Sequence, residues 1–99
     1  MLNKDVYQLL GLAMRSRNIA TGEAVLTNVR NKKAALVLVC EDASENTKKL
    51  YKNKCTHYGV EFIIKGDSDS LSYAIGKENR MAIAVLDQNF AKKIKEKIG

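Results

Sequence analysis

The feature that most constrains the fold is an unbroken apolar run at residues 34–40, Ala-Ala-Leu-Val-Leu-Val-Cys. It is too short to cross a bilayer, because a membrane helix needs about 20 apolar residues. Apolar residues without alternation are typical of a central strand that is covered on both faces. Residues 81–86 form a second run of this kind, and residues 60–64 are expected to form a further strand. The sequence therefore predicts a sheet buried between two other layers.

Amphipathic segments separate these strands, and capping residues mark where their helices begin. The expected caps, in chain order, are Asn3, Thr21, Ser44, one of Asp67, Ser68 and Asp69, and Asp87. Residues 19–21 are expected to form a short extended piece. Strands that alternate with helices need crossover connections and covered sheets. We therefore predict an α/β protein with one domain, residues 1–99, folded as a three-layer α/β/α sandwich with a mixed, mostly four-stranded sheet.

The charge balance favours a polyanionic partner. Lys and Arg number 17 and Asp and Glu number 11, which gives a net charge of +6. Such an excess attracts nucleic acids through steering and counterion release. The first residues lack the apolar stretch of a secretion signal, so a cytoplasmic protein without a membrane partner is expected. Cys40 and Cys55 form no Cys-x-x-Cys motif, and we expect packed thiols, with no disulfide, metal or cofactor.

A candidate phosphate-binding element begins at Thr21 and Gly22, which read as a tight turn that opens a helix. A helix start directs free backbone N–H groups and a partial positive charge outward, so it can receive a phosphate. The polar loop 77–80 also precedes a buried element. The sequence allows this loop and the turn at Gly22 to lie at one end of the sheet.

Other candidate sites have simpler interpretations. Glu41 and Asp42 follow the central strand, where α/β proteins often place catalytic carboxylates. We interpret them mainly as the entry to a helix capped by Ser44, because no further ligand residue has suitable spacing nearby. His57, the sole histidine, is expected to be structural or exposed. The tyrosines are expected at the edge of the core, not as a surface for base stacking: Tyr7, Tyr51, Tyr58 and Tyr73.

Several motifs, in this order and spacing, resemble those of the kink-turn RNA-binding family of ribosomal protein seven-Ae, especially its short bacterial YlxQ-type members. The resemblance covers essentially the whole chain. Its main segments are Leu9-Leu10-Gly11-Leu12-Ala13, Thr21-Gly22-Glu23, Glu41-Asp42-Ala43-Ser44, Asn46-Thr47-Lys48-Lys49, Ala74-Ile75-Gly76-Lys77-Glu78 and Asp87-Gln88-Asn89-Phe90-Ala91.

The resemblance implies an RNA-binding module without enzymatic activity. In this family the second helix enters the bent major groove of a kink-turn and reads the guanines of sheared G·A pairs, while the loop before the last strand covers an extruded nucleotide. Gly22 matches the glycine that lets the backbone approach RNA, and Arg17 would contact phosphates. The RNA-binding residues that the resemblance implies are Arg17, Thr21, Gly22, Glu23, Asn28, Lys77, Glu78, Asn79 and Arg80. The implied partner is structured RNA, in ribosomal RNA or a regulatory leader, with no DNA, and the protein is expected to be a monomer.

One segment departs from the family pattern, whose helix start usually reads Gly-x-Asn-Glu-x-x-Lys. Aligned from Gly22, this chain has Ala24, Val25 and Asn28 at the last three specified positions. The missing lysine favours an alternative function, a protein-interaction adaptor on the same fold with weak nonspecific RNA affinity. A third hypothesis, a small enzyme that uses Asp42 or Glu41, requires an enclosed pocket with convergent polar groups.

Overall fold

Five helices and four strands alternate along the part of the chain that the computed structural model describes, residues 2–98. They are α1 (Lys4–Arg15), β1 (Ile19–Thr21), α2 (Glu23–Arg30), β2 (Leu36–Val39), α3 (Glu45–Tyr58), β3 (Glu61–Ile64), α4 (Ser68–Ala74), β4 (Ala82–Val85) and α5 (Gln88–Ile98). Each strand lies within the segment that the sequence predicts, and β1 coincides with it. None of these helices is both long enough and apolar enough to cross a membrane.

The four strands form one mixed sheet in the order β1-β4-β2-β3. Strands β2 and β3 are parallel, and β4 is antiparallel to both of its neighbours, β1 and β2. Thr21 lies opposite Ile83, and Val39 lies opposite Ala82. The carboxyl ends of β1, β2 and β3 therefore share one edge of the sheet with the start of β4. We call this edge the strand-exit end.

Helices cover both faces of the sheet, which confirms the predicted α/β/α sandwich. Alternate residues of the central strands face opposite layers, so the apolar runs are buried on both sides. On one face, Leu36, Leu38, Ile83 and Val85 pack with buried residues of α1, α4 and α5. On the other, Val37, Val39, Ala82 and Ala84 pack with buried residues of α2 and α3.

The two cysteines are buried and free, as predicted. Cys40 belongs to the core beneath α1, α4 and α5, whereas Cys55 belongs to the core beneath α2 and α3. The sheet therefore lies between the two thiols. Burial raises the pKa of Cys40 to about 12 and the pKa of Cys55 to about 11.

Side-chain caps begin four of the described helices, and each matches an expected cap. Asn3, Ser44, Asp67 and Asp87 accept hydrogen bonds from backbone N–H groups in the first turns of α1, α3, α4 and α5. The prediction that Thr21 caps α2 is wrong. Thr21 is the last residue of β1 and pairs with Ile83, and Gly22 occupies the N-cap position instead.

Candidate nucleic-acid interface

Helix α2 begins at a glycine with an unusual backbone conformation. Gly22 has φ 61° and ψ −137°, a region that side-chain-bearing residues rarely enter. No side chain among the described residues caps this helix, and the Val25 N–H donates to the Gly22 carbonyl over 3.2 Å. The first N–H groups of a helix have no intrahelical acceptor and carry its positive dipole end. The start of α2 therefore offers free N–H donors. In each of the other described helices, a capping side chain accepts from a first-turn N–H group of its own helix.

Arg80 places a guanidinium beside this helix start. Its Nη1 atom lies 3.3 Å from the position that a Cβ on Gly22 would occupy. The Arg80 N–H donates to Ser72 Oγ over 2.8 Å, and Ser72 Oγ in turn donates to the Arg80 carbonyl over 3.4 Å. Helix α4 thus holds the Arg80 backbone, while antiparallel pairing of β1 with β4 brings Gly22 alongside. The structure therefore brings the turn at Gly22 and the loop 77–80 together at the strand-exit end.

The electrostatics of this pair suit an anion. Arg80 forms no ion pair among residues 2–98, and its buried Nε has no hydrogen-bond acceptor there. A cation near the positive end of a helix is unfavourable unless negative charge lies close by. A phosphate, or a base edge rich in acceptor atoms, satisfies the guanidinium and the helix donors together. Glu23 is exposed in the first turn of α2, where a carboxylate can accept from a base amino group.

The rest of the loop 77–80 is exposed and folds back onto α4. Lys77, Glu78 and Asn79 are all exposed, and Asn79 adopts a positive φ of 54°. The Lys77 N–H donates to the Ser72 carbonyl over 2.9 Å. Ser72 therefore binds the backbone at both ends of this loop.

The structure leaves two of the implied RNA-binding residues outside this group. Arg17 lies before β1, at the opposite end of that strand from Gly22, and three extended residues span about 10 Å. Asn28 lies six residues beyond Gly22, which corresponds to about 9 Å along a helix. Its Nδ2 atom donates to the Ala24 carbonyl over 2.7 Å, so the amide is turned back along α2.

Glu41 and Asp42 connect the end of β2 to the start of α4. Glu41 Oε2 accepts from the Gly66 N–H over 2.9 Å. The Asp42 carboxylate accepts from the Ser68 hydroxyl over 2.6 Å and from the Ser68 N–H over 3.0 Å. The Ser68 hydroxyl bond is the main cause that lowers the pKa of Asp42. Within residues 2–98, no three His, Cys, Asp or Glu side chains are grouped to hold a metal. These carboxylates therefore have a structural role at the strand-exit end.

Sequence reasoning missed two residues of α4. Ser72 is buried although serine is polar, and a serine on the inner face of an apolar helix pattern was the available signal. Tyr73 is 88% exposed, so its expected place at the edge of the core is wrong. Ser68, Leu71 and Ser72 form the buried face of α4, and Tyr73 lies with Asp69 on its exposed face.

Comparisons with known proteins agree with this architecture. The model of the ribosomal protein L7Ae/L30e/S12e/Gadd45 family matches residues 4–95. A Bacillus subtilis (strain 168) protein named RNA-binding protein YlxQ is 43% identical over 95 residues, 95% of this chain and 95% of that protein. The Enterococcus faecium protein of the same name is 43% identical over 96 residues, 96% of this chain and 92% of its own length.

Solved structures give the same result. A structure described as a protein with unknown function from Bacillus halodurans C has a TM-score of 0.92 and 37% identity, covering 97% of this chain and 98% of its own. The Giardia lamblia 15.5kD RNA binding protein has a TM-score of 0.79 at 20% identity, covering 99% and 91%, and shares the fold. The chain therefore belongs to the ribosomal protein L7Ae/L30e/S12e/Gadd45 family.

Proposed function

We propose that this protein is a noncatalytic RNA-binding protein that recognises a sharply kinked RNA, the kink-turn, in ribosomal RNA or a regulatory leader. Its contact surface is the start of α2 together with the loop 77–80. The observation that carries the proposal is the Arg80 guanidinium, which has no ion-pair partner within residues 2–98, beside the start of α2 at Gly22, which no side chain in that range caps. Family membership supports it, as do the names of two relatives that are described as RNA-binding proteins.

The chemistry of the surface suits a deformed major groove. Regular A-form RNA has a deep, narrow major groove that side chains cannot read, so proteins read RNA where bulges and loops expose its bases. Gly22 has no side chain, which lets the α2 N–H groups approach the bases or the backbone closely. Arg80 supplies planar paired donors for a phosphate or for guanine O6 and N7. Glu23 accepts from base amino groups, and Lys77 and Asn79 reach a nucleotide displaced from the helix.

The net charge of +6 adds attraction that is independent of RNA shape. This part of the affinity falls steeply with salt, because it arises from counterion release. Shape-specific contacts have to offset the free energy needed to bend the RNA. The proposed function therefore predicts a preference for the kinked RNA that persists when salt weakens the binding of all RNAs.

A binding titration tests this proposal with a kink-turn RNA and a matched RNA whose sheared G·A pairs are replaced by Watson–Crick pairs. We expect Arg80→Ala to weaken kink-turn binding by about 1–3 kcal/mol, about 5- to 150-fold. Arg30→Ala is the charge-matched control, because Arg30 is exposed at the far end of α2. It should reduce the affinity for both RNAs equally and only slightly.

Three results would contradict the proposal or its contact surface. Equal affinity for both RNAs at every salt concentration, with a steep salt slope, would leave only general attraction to polyanions. Absence of binding to either RNA would support the protein-interaction adaptor instead. Equal effects of Arg80→Ala and Arg30→Ala would remove Arg80 from the contact surface.

A further inference from the structure

Tyr73 is the most exposed of the large apolar and aromatic side chains in the described part of the chain. Its relative exposure is 88%, whereas the next values, for Leu12 and Leu50, are 47% and 43%. A single exposed apolar residue needs no special explanation. Whether the Tyr73 ring belongs to a binding site therefore depends on the residues around it.

Tyr73 is fixed to the loop of the proposed RNA interface. It follows Ser72, whose hydroxyl and carbonyl bind the backbone of Arg80 and Lys77. The Tyr73 carbonyl accepts from the Gly76 N–H over 3.1 Å, which closes α4 directly before the loop. The backbone that carries the ring therefore has a fixed position relative to Arg80.

A surface cavity of about 490 Å³ lies beside Tyr73. Its wall includes Tyr73, Asp69, Lys77, Glu78 and Asn79, and none of Gly22, Glu23 and Arg80. Asp69 and Tyr73 are four residues apart on α4, so their side chains share a helix face. The cavity is thus a position separate from the helix start of α2.

The charges around this cavity favour a nucleobase over a phosphate. Two carboxylates, Asp69 and Glu78, face a single cation, Lys77, so an anion is disfavoured. Carboxylates accept hydrogen bonds from base amino and imino groups. The exposed Tyr73 ring offers a flat surface on which a base can stack, which contributes about 1–3 kcal/mol per base.

We propose that this cavity binds an unpaired base bearing an exocyclic amino group, stacked on Tyr73 and hydrogen-bonded to Asp69 or Glu78. Guanine fits best, because its adjacent N1–H and N2–H groups match the two oxygens of a carboxylate. The base belongs to a single-stranded extension that leaves the bent RNA past the loop 77–80. This inference rests on the proposed function, since the same RNA must occupy the helix start at Gly22.

The test compares a blunt kink-turn RNA with versions that carry one unpaired guanosine, inosine or uridine at the 5′ or 3′ end. We expect a guanosine extension at one end to raise wild-type affinity about 5- to 150-fold over the blunt RNA. Inosine, which lacks the N2 amino group, and uridine should raise it less. Tyr73→Ala should remove the increment and Tyr73→Phe should keep it. Leu50→Ala, an exposed apolar residue on the opposite layer, is the control and should change nothing.

The outcomes separate the two proposals. If the blunt RNA binds but no extension raises its affinity, or Tyr73→Ala keeps the increment, the Tyr73 site is overturned and the proposed function stands. If Tyr73→Ala weakens blunt and extended RNAs equally, Tyr73 acts within the kinked region and the separate position is overturned. If wild-type protein binds neither blunt nor extended RNA, both proposals fail. Circular dichroism should show native folding of both Tyr73 variants, because Tyr73 is almost fully exposed.

Discussion

Replacing Gly22 by alanine tests whether the backbone at the start of α2 is held in a conformation that needs glycine. With φ 61° and ψ −137°, Gly22 lies outside the left-handed helical region that some other residues tolerate. A residue with a side chain destabilises the protein by about 1–3 kcal/mol when it is held in a conformation of this kind. The new Cβ would lie 3.3 Å from Arg80 Nη1, the end of a flexible side chain, so displacement of Arg80 should add little.

Gly59 provides a matched comparison. It ends α3 with φ 73° and ψ 31°, in the left-handed helical region, and an added Cβ meets nothing within 4 Å. Gly59→Ala should lower the free energy of unfolding by about 1 kcal/mol, which lowers Tm by about 4–8 °C in a domain of this size. For Gly22→Ala, about 2 kcal/mol corresponds to a loss of about 8–16 °C. Asparagine, which tolerates the left-handed region, should restore stability at Gly59 but not at Gly22.

Thermal unfolding by calorimetry and urea titration of the four variants measures these differences. A Gly22→Ala protein with the wild-type Tm would refute the reasoning, since it would mean that the turn relaxes into an ordinary conformation. A larger loss for Gly59→Ala than for Gly22→Ala would refute it equally. Binding assays on these variants should be run at a temperature where all of them are fully folded.

Three further predictions concern groups around this end of the fold. The hydrogen bonds of Asp42 lower its pKa in the folded protein. The stabilisation by its carboxylate is therefore complete above the pKa of the unfolded chain, about 3.9, and is lost as the pH falls through the folded pKa. The free energy of unfolding of Asp42→Asn, measured by urea titration, should therefore fall less steeply than that of the wild type below about pH 4. Cys40 and Cys55, with pKa values raised to about 12 and about 11, should react with iodoacetamide at pH 8 only after denaturation. Ser72→Ala leaves the Arg80 N–H without its acceptor, so it should destabilise by about 1–3 kcal/mol and speed hydrogen exchange at that amide.

The sequence predicted those elements whose signals are local. Asn3 and Ser44 cap α1 and α3 as expected, because capping residues and apolar spacing act within a few residues. The strand order β1-β4-β2-β3 depends on pairing between distant segments, which no local pattern encodes. The same cause explains the error at Thr21: its pairing with β4 makes it the end of a strand, so Gly22 becomes the cap position.

The candidate site was predictable to the extent that its residues are close along the chain. The sequence identified the turn at Gly22 and the loop 77–80, but their contact arises from the pairing of β1 with β4. The resemblance also implied Arg17, which a short strand carries to the opposite end of the sheet from Gly22. Exposure of Tyr73 could not be read from helical spacing, because α4 spans only Ser68–Ala74 and its solvent face depends on how it packs against α1.

The energetics of the unliganded site explain how the fold keeps free donors at little loss of stability. Glycine at an N-cap is only a few tenths of a kcal/mol less stable than a capping side chain, because water reaches the exposed N–H groups. A cation near the helix start adds about 0.3–1 kcal/mol of repulsion when exposed to solvent. Both effects are small beside the several kcal/mol by which a folded domain is stable. An RNA group that replaces the water removes the repulsion and satisfies the donors together. Under the proposed function, selectivity depends on whether an RNA can bring acceptors to Gly22 and Arg80 at once, and a regular A-form helix cannot, because side chains do not enter its deep, narrow major groove.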